Sequence, residues 1–301
     1  MPGGAVAVLL NPAAGRRRQR ALVPELLRRL RAGGYELDVV SAGSPAEAEQ
    51  DCAKLLAAGV HALIAIGGDG TVHTAVQAVA GSGAPFAVVP AGTGNDFAAA
   101  VGVPTDPLTA ADQVARALRD GVSTRPVDLA RVTGANGAVR WFAAVMAAGF
   151  DAVVNERANA MSWPRGDRRY DLAIFLELAR LRARDYRVVL DGSVLQPQAI
   201  LVAVGNTASY GGGIRICPGA DPCDGLLDVV VGRAMSRRTL VRLRGWAYRG
   251  VHVRHRLVDA YRARTVELHA EGITTYADGE RCLPLPVTIE CVPGALRLLR
   301  P

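Results

Sequence analysis

The sequence predicts an α/β domain built on a parallel sheet with helices on both faces, followed by a β-rich domain. Three observations lead there. The first 125 residues alternate strand-like apolar runs with amphipathic helical segments. After "STRPVDLARV" the texture changes to short β-type runs. And 301 residues, half of them hydrophobic, are enough to bury two cores.

The elements follow in order. "AVAVLLNP" reads as a buried strand, and "RRRQRALVPELLRRLRAGG" as a helix of near-3.6 periodicity ended by glycines. "YELDVVS" is a second strand, and "SPAEAEQDCAKLLAAG" a helix entered through serine and proline. "HALIAIGG" is a third strand, "TVHTAVQAVAGSG" a helix, "PFAVVPAG" a fourth strand and "DPLTAADQVARALRDG" a capped helix. Beyond a boundary near Arg125–Val127 come "VDLARVT", "VRWFAAVMAAG", "YRVVLDG", "QAILVAVGN", "LLDVVVGR", "TVELHAEG" and "PVTIECVPG", all strand-like. Only "RRYDLAIFLELARLRARD" and "SRRTLVRLRGWAYRG" look helical there. No repeat or low-complexity linker intervenes, so the two domains are expected to pack closely around a cleft.

Composition removes several function classes. The formal charge is +7, and Lys54 is the only lysine. Coding bias explains so much arginine more readily than a functional basic surface does. The lysine count still excludes a Walker A loop, which ends in Gly-Lys-Ser/Thr, and a protein-kinase Val-Ala-Ile-Lys strand. Any phosphate site must therefore use backbone N–H groups, arginine or metal. The five cysteines (52, 217, 223, 282 and 291) have no Cys-x-x-Cys or Cys/His spacing, so reduced thiols in a cytoplasmic protein are expected. The N-terminal "MPGGAVAVLLNP" lacks the basic region of a secretory signal. The longest uncharged apolar run, Trp141 to Phe150, is half of a membrane span. The five histidines form no metal set, there is no Gly-x-Ser-x-Gly elbow, and His252 and His255 beside Arg254 and Arg256 read as a solvated basic face.

Ligands of open parallel sheets bind past the C-terminal strand ends. Three such ends carry unusual loops: "NPAAG" (Asn11–Gly15), "GGDGT" (Gly67–Thr71) and "PAGTGNDF" (Pro90–Phe97). Glycine lets a phosphate approach the main chain, and the following helix offers N–H groups and its positive end. One such loop is an ordinary tight turn; three in succession point to a phosphate-bearing ligand. A dinucleotide fingerprint fails, because His73 and Phe97 stand where the third glycine belongs. Asp69 beside a phosphate needs an intervening cation, or bonds to backbone or ribose hydroxyls, to be tolerated. Asp96 is either a similar contact or a plain helix cap.

"NPAAG", "IGGDGTVHTAVQAV", "VVPAGTGNDFAAAVGVP", "GNTASYGGGIRICPGADPCDGLLDVVV" and "YADGE" resemble, in this order and over nearly the whole chain, the diacylglycerol kinase-type lipid kinases. These include soluble bacterial diacylglycerol kinases and sphingosine kinases, and are related to NAD kinases and phosphofructokinases. The resemblance implies a nucleotide-binding α/β domain of phosphofructokinase/NAD kinase type, residues 1–126 completed by 293–301, and a β-sandwich lipid-substrate domain, residues 127–292. It implies ATP held by Asn11, Pro12, Ala13, Ala14 and Gly15, by Ser41, and by Gly67, Gly68, Asp69, Gly70, Thr71, Val72 and His73. Thr93, Gly94, Asn95 and Asp96 of the GTGND loop complete that set. Ser41 stands where the family usually has threonine. "CPGADPCDGLLDV" resembles a structural Mg²⁺ loop, with Asp221, Asp224 and the main chain of Leu226 as ligands; without the family it reads as an Asp-Gly turn.

The family's general base matches Glu280 of "YADGE". Asp278 remains a competitor for that role, since on a strand the two would share a face. Phosphoryl transfer asks mainly for positioning, charge neutralisation and one residue to take the acceptor's proton. The resemblance thus implies an ATP:lipid phosphotransferase, Glu280, Asp278 and Asp69 forming its catalytic set, that converts diacylglycerol to phosphatidic acid. A kinase of a sphingoid base or polyprenol, an NAD kinase, and a catalytically silent nucleotide-binding regulator stay open as alternatives.

The lipid acceptor must be met at a membrane surface. Arg16–Arg18, Arg168–Arg169, Arg237–Arg238 and Arg254–Arg256 could hold anionic lipids, although the first cluster could serve ATP instead. "YDLAIFLELARLRA" is an interfacial helix or a core one. A cytoplasmic, peripherally membrane-associated protein is expected, with no nucleic-acid partner and the oligomeric state, homodimer included, left open.

Overall fold

The structure is a computed structural model that describes residues 4–10, 17–161, 163 and 167–300, without the side chains of 17–20 and 167. The expected contacts at Asn11–Gly15 and the Arg16–Arg18 cluster lie outside what is described. The chain divides into two compact units: Met1–Leu129 with Pro222–Asp224 and Val292–Pro301, and Ala130–Asp221 with Gly225–Cys291.

The first unit runs β1 (Ala5–Leu10), α1 (Arg17–Arg31), β2 (Glu36–Val40), α2 (Pro45–Ala57), β3 (Leu63–Gly67), α3 (Asp69–Val79), β4 (Pro85–Pro90), α4 (Asp96–Ala100) and α5 (Pro107–Arg119). Its strands pair in parallel in the order β4–β3–β1–β2. β3, "LIAIG", is buried throughout, as a central strand covered on both faces must be, whereas the edge strand β2 is largely exposed. Val6, Val8, Ile64, Ile66 and Val89 meet Leu26 and Leu30 of α1 and Ala110, Val114 and Leu118 of α5 in one core. Each fully buried aliphatic side chain there stabilises by about 1.5–3 kcal/mol. The caps are those expected of the sequence. Ser44 Oγ accepts the Glu47 N–H at 3.3 Å, and the Asp106 carboxylate accepts the Thr109 N–H at 2.8 Å.

The second unit begins within β5 (Thr124–Gly134) and continues through β6 (Val139–Phe142), β7 (Val145–Gly149), α6 (Phe150–Ala160), α7 (Asp167–Ala179), β8 (Arg184–Asp185), β9 (Arg187–Leu190) and β10 (Ser193–Leu195). Then come β11 (Gln198–Gly205), β12 (Leu227–Arg233), α8 (Arg237–Ala247), β13 (Val258–Ala263), β14 (Thr265–His269), β15 (Thr274–Ala277), β16 (Glu280–Pro284) and β17 (Val287–Leu299). One antiparallel sheet has the order β13–β12–β11–β7–β15–β16, and a second contains β10–β9–β14–β17. Met146, Val202, Val204, Val229 and Val231 of the first sheet share a core with Val188, Leu190, Val266, Leu268 and Ile289 of the second. Alternate residues of each strand thus fill the space between two sheets, which is a β-sandwich.

β17 begins in this unit, paired with β14, and its last residues belong to the first unit, where Arg297 and Leu298 pair in parallel with Pro85 and Phe86 of β4. Two helices go beyond the sequence expectation, α4 and α6. Segment "FDAVVNERANA" buries only Ala152, Val154 and Ala158, too few apolar positions to show a helical period.

Candidate active site

In the first unit the two described glycine loops touch each other. Gly67 ends β3, Gly68 is the N-cap of α3, and Asp69, Gly70, Thr71, Val72 and His73 open that helix. Gly67 O accepts the Ala91 N–H at 2.9 Å, which draws the second loop alongside the first. A Cβ on Gly92 would lie 2.3 Å from the Gly68 Cα, so backbone packs on backbone here and leaves no room for a side chain. Part of the glycine requirement is therefore loop against loop. Asn95 closes the second loop in a left-handed conformation (φ 58°), its side chain accepting from Gly92 N at 3.1 Å and donating to Gly92 O at 3.0 Å.

Asp69 acts across this junction. Its Oδ1 accepts the Phe97 N–H at 3.3 Å, and a Cβ on Gly94 would fall 2.6 Å from its Oδ2. Of the environments that tolerate a carboxylate here, backbone donation is thus present. Asp96 is buried at the first position of α4, and the N-cap position is Asn95, which makes no side-chain cap hydrogen bond. Val72 is buried in the core, so only its main chain can meet a ligand, and Thr93, Gly94 and Ser41 are exposed.

The N-terminus of α3 differs from those of α2 and α5. Both of those receive a side-chain cap, whereas Gly68 provides none. The buried Thr71 hydroxyl also lacks a hydrogen-bond partner among the described residues. An uncapped helix start with an unsatisfied buried hydroxyl fits an anionic ligand such as a nucleotide phosphate.

The loop bearing Asp221 and Asp224 is tied down by Pro222 O, which accepts the Asp128 N–H at 2.7 Å. Both carboxylates are exposed and Leu226 is half-buried. Among the described residues no group of three or more His, Cys, Asp and Glu could hold a metal ion. A cation at this loop would have two carboxylates and complete its shell with main-chain oxygen or water, a donor set that suits Mg²⁺. Asp128, which the sequence reading did not single out, is a buried carboxylate whose Oδ1 accepts the Gly294 N–H at 2.8 Å.

In the second unit, Asp278 and Gly279 form the two-residue turn between β15 and β16, with Ala277 and Glu280 paired across it. Asp278 has φ 53°, so the strand face that would align it with Glu280 is broken by the turn. Its carboxylate accepts the N–H groups of Ala143 and Ala144 at 3.0 and 2.8 Å. Asp278 anchors the hairpin, while Glu280 is exposed just beyond it.

Behind the hairpin, the buried Tyr276 hydroxyl donates to Glu156 of α6 at 2.8 Å and accepts from Asn159 at 3.2 Å. Burial and the Glu156 carboxylate push that phenol up to about 12. The Tyr276 hydroxyl and Arg281 hold Glu156 below the usual carboxylate range.

One turn earlier, α6 enters a pocket of about 200 Å³ lined by Asp151, Val154 and Asn155, by Ile174 and Leu178 of α7, and by Leu243 of α8, among others. Its lining is mainly aliphatic and aromatic, with Asp151, Asn155, Arg244 and His252 as its charged or polar members. Asp151 accepts a hydrogen bond from Tyr210, and burial pushes both groups upward. His252, expected on a solvated face, is instead buried against this pocket with Nε2 3.0 Å from Ile216 O. Neither Asp151 nor Tyr210 was singled out from sequence. The one available signal was an acidic residue two positions after the apolar strand that ends at Gly149.

Residues 5–132 match the diacylglycerol kinase catalytic domain, and residues 144–300 match the YegS C-terminal NAD kinase beta sandwich-like domain. The chain is 42% identical over 300 residues to a protein of Mycobacterium tuberculosis (strain CDC 1551 / Oshkosh) named "Diacylglycerol kinase", covering 99% of this chain and 96% of that one. This chain belongs to the diacylglycerol kinase-type lipid kinases. Within the family it is also similar to a Xanthomonas oryzae pv. oryzae (strain MAFF 311018) protein named "Probable lipid kinase YegS-like", 31% identical with 95% and 94% of the two chains covered. A crystal structure described as a diacylglycerol kinase from Bacillus anthracis str. Sterne superposes with a TM-score of 0.71 at 22% identity, covering 99% and 97%. An NAD kinase from Archaeoglobus fulgidus in complex with ATP superposes with a TM-score of 0.56 at 14% identity, covering 98% and 93%. The last two likenesses are of fold. As in these relatives, an α/β unit with a parallel sheet is joined to an antiparallel β-sandwich.

Proposed function

We propose that this lipid kinase transfers the γ-phosphoryl group of ATP to the hydroxyl of diacylglycerol, giving phosphatidic acid, with Glu280 as general base. The observation that carries the acceptor class is the pocket of the sandwich unit. Its hydrocarbon lining suits acyl chains and offers a nicotinamide dinucleotide few groups to bond. The donor's phosphates would lie at the uncapped start of α3 and along the GTGND loop, with Asn11–Gly15 and Ser41 completing the nucleotide site. Bound Mg²⁺ would neutralise charge on those phosphates, and a structural Mg²⁺ would sit on Asp221, Asp224 and the main chain of Leu226.

The chain's own residues supply the rest. Asp278, occupied by two backbone N–H groups, fixes the turn that presents Glu280. The exposed Glu280 carboxylate takes the acceptor's proton as that oxygen bonds phosphorus and ADP departs. Such a base contributes about 10²–10⁴-fold. The protein would act in the cytoplasm, at the surface of the membrane that holds its acceptor.

The test is turnover of purified protein with Mg²⁺ and labelled ATP over diacylglycerols, sphingoid bases, polyprenols and NAD. Glu280→Gln should bind ATP normally and lose about 10²–10⁴-fold in kcat. Phosphorylation of NAD alone would refute the acceptor, and full turnover by Glu280→Gln would refute the base. Asp224→Ala should lower activity and melting temperature together, and an unchanged melting curve would dismiss the structural cation.

A further inference from the structure

Helix α8 combines features that the phosphotransfer chemistry does not require. Between Val229 and Val258 the chain carries eight arginines and no acidic residue. α8 lies in the middle of that stretch. Leu243 and Ala247 point inward and are buried, whereas Val241, Trp246 and Tyr248 remain 56%, 38% and 45% exposed. Large apolar side chains at this exposure on a charged helix call for a partner.

The arginines are placed to serve the same partner. The Arg242 guanidinium lies 5.6 Å from the Trp246 ring centroid, and that of Arg244 lies 5.9 Å from the Tyr248 centroid. Among the described residues, Arg238, Arg242 and Arg249 form no salt bridge, so their charge is available to something outside the chain. A helix with buried leucine on one side and arginine alternating with tryptophan and tyrosine on the other has the make-up of an interfacial helix. The guanidinium groups meet phosphates and the rings sit at headgroup depth.

The apolar pocket adds the second observation. Leu240, Val241, Leu243, Arg244 and Ala247 of α8 all line it, and Val241 is at once a lining residue and one of the most exposed apolar side chains. α7 shares the rim, since Tyr170 lines the pocket while 36% exposed, and Arg237 donates to the Ala179 carbonyl at the end of α7. The pocket's rim therefore coincides with the arginine and aromatic face.

We propose that the outer face of α8 docks on an anionic lipid bilayer and sets the mouth of the apolar pocket against it, so that the acceptor enters from the membrane without crossing bulk water. This rests on the lipid-acceptor reading above for the pocket's use, while the docking itself stands on the charge and exposure of α8.

The experiment uses the full chain and vesicles of phosphatidylcholine with or without phosphatidylglycerol, read by co-sedimentation and by tryptophan emission. The protein should bind the phosphatidylglycerol vesicles, bind phosphatidylcholine weakly, and release as salt rises. Replacing Arg238, Arg242 and Arg249 together by Gln should weaken binding at least about tenfold. Trp246→Phe should keep binding and remove most of the blue shift. The triple variant should retain activity on a short-chain diacylglycerol in neutral detergent micelles and lose it on long-chain diacylglycerol in vesicles.

Unchanged vesicle binding by the triple variant overturns the docking face even where diacylglycerol is phosphorylated. Conversely, salt-sensitive, Arg-dependent binding with no lipid phosphorylated keeps the docking face and refutes the acceptor. Equal binding to both vesicle types, retention of an oligonucleotide but not of vesicles, or a change of oligomeric state in the triple variant with vesicle binding intact would each overturn the proposal.

Discussion

The glycine edge of the parallel sheet and the pocket of the sandwich unit are built on opposite principles. The first is built largely on main chain, Gly68 against Gly92 and Gly67 O on Ala91 N, with the Asp69 and Asn95 side chains bonded to backbone groups. At Gly92 itself a side chain is excluded by contact. The second is made of side chains from three helices and a sheet face, largely hydrocarbon, with the hydrogen-bonded pair Asp151 and Tyr210 set among them. A backbone-built site tolerates almost no substitution at its contacts and is nearly indifferent to residue type elsewhere. A side-chain-built site tolerates aliphatic exchange and fails when a polar group loses its partner.

The sharpest way to break this contrast is Gly92→Ala. One methyl would have to sit 2.3 Å from the Gly68 Cα, where only backbone can give way. Loss of about 2–4 kcal/mol is expected in denaturant unfolding, together with weaker ATP binding by calorimetry. Near-wild-type stability would mean that the two loops do not hold each other.

The same contrast explains what the sequence discloses. Glycine, aspartate and threonine at the ends of β3 and β4 are visible because backbone chemistry admits few residue types, so "GGDGT" and "GTGND" stand out from any neighbour. The strands and capped helices of the first unit are legible for a similar reason, since Ser44 and Asp106 sit where helix starts need them. The pocket is not legible. Val154, Leu178, Leu201 and Leu243 are ordinary core residues until tertiary folding gathers them. α6, which carries Asp151 and Asn155, has too few buried apolar positions to declare itself. His252 shows the converse error, because two neighbouring arginines suggested a wet surface and the ring is buried. The role of Asp278 was equally hidden. Spacing alone cannot tell a carboxylate that binds backbone from one left exposed, whereas the turn at φ 53° decides it.

A smaller effect probes the other side of the comparison. Tyr210→Phe removes the donor to Asp151 and leaves a carboxyl in apolar surroundings without it. A cost of about 1–3 kcal/mol is expected. Affinity for ATP should be unchanged, and the KM for the lipid acceptor should rise. If the variant instead weakens ATP as Gly92→Ala does, the two sites are not separable in the way their construction suggests.

The smallest effect is the most diagnostic of a dry pocket wall. His252 is 4% exposed, with Nε2 on the Ile216 carbonyl and Nδ1 buried without a hydrogen-bond partner among the described residues. Burial lowers its proton affinity below the ordinary 6.5, and the Ile216 carbonyl offsets this only in part. In the unfolded chain the ring takes up a proton near pH 6.5, while the folded ring does so only at lower pH. The neutral ring's contribution is therefore complete above 6.5 and is lost as pH falls from there through the folded value. One such group changes the unfolding free energy by at most about 1.4 kcal/mol per pH unit. Asp151 works with the opposite sign, its raised carboxyl favouring the fold more at low pH than at high, but it is present in both proteins when His252→Asn is compared with the parent. Urea midpoints between pH 8 and pH 5 should fall less steeply in the variant. Parallel slopes would mean that His252 titrates like a solvated ring, and the pocket wall on which the acyl-chain reading depends would then be open to water.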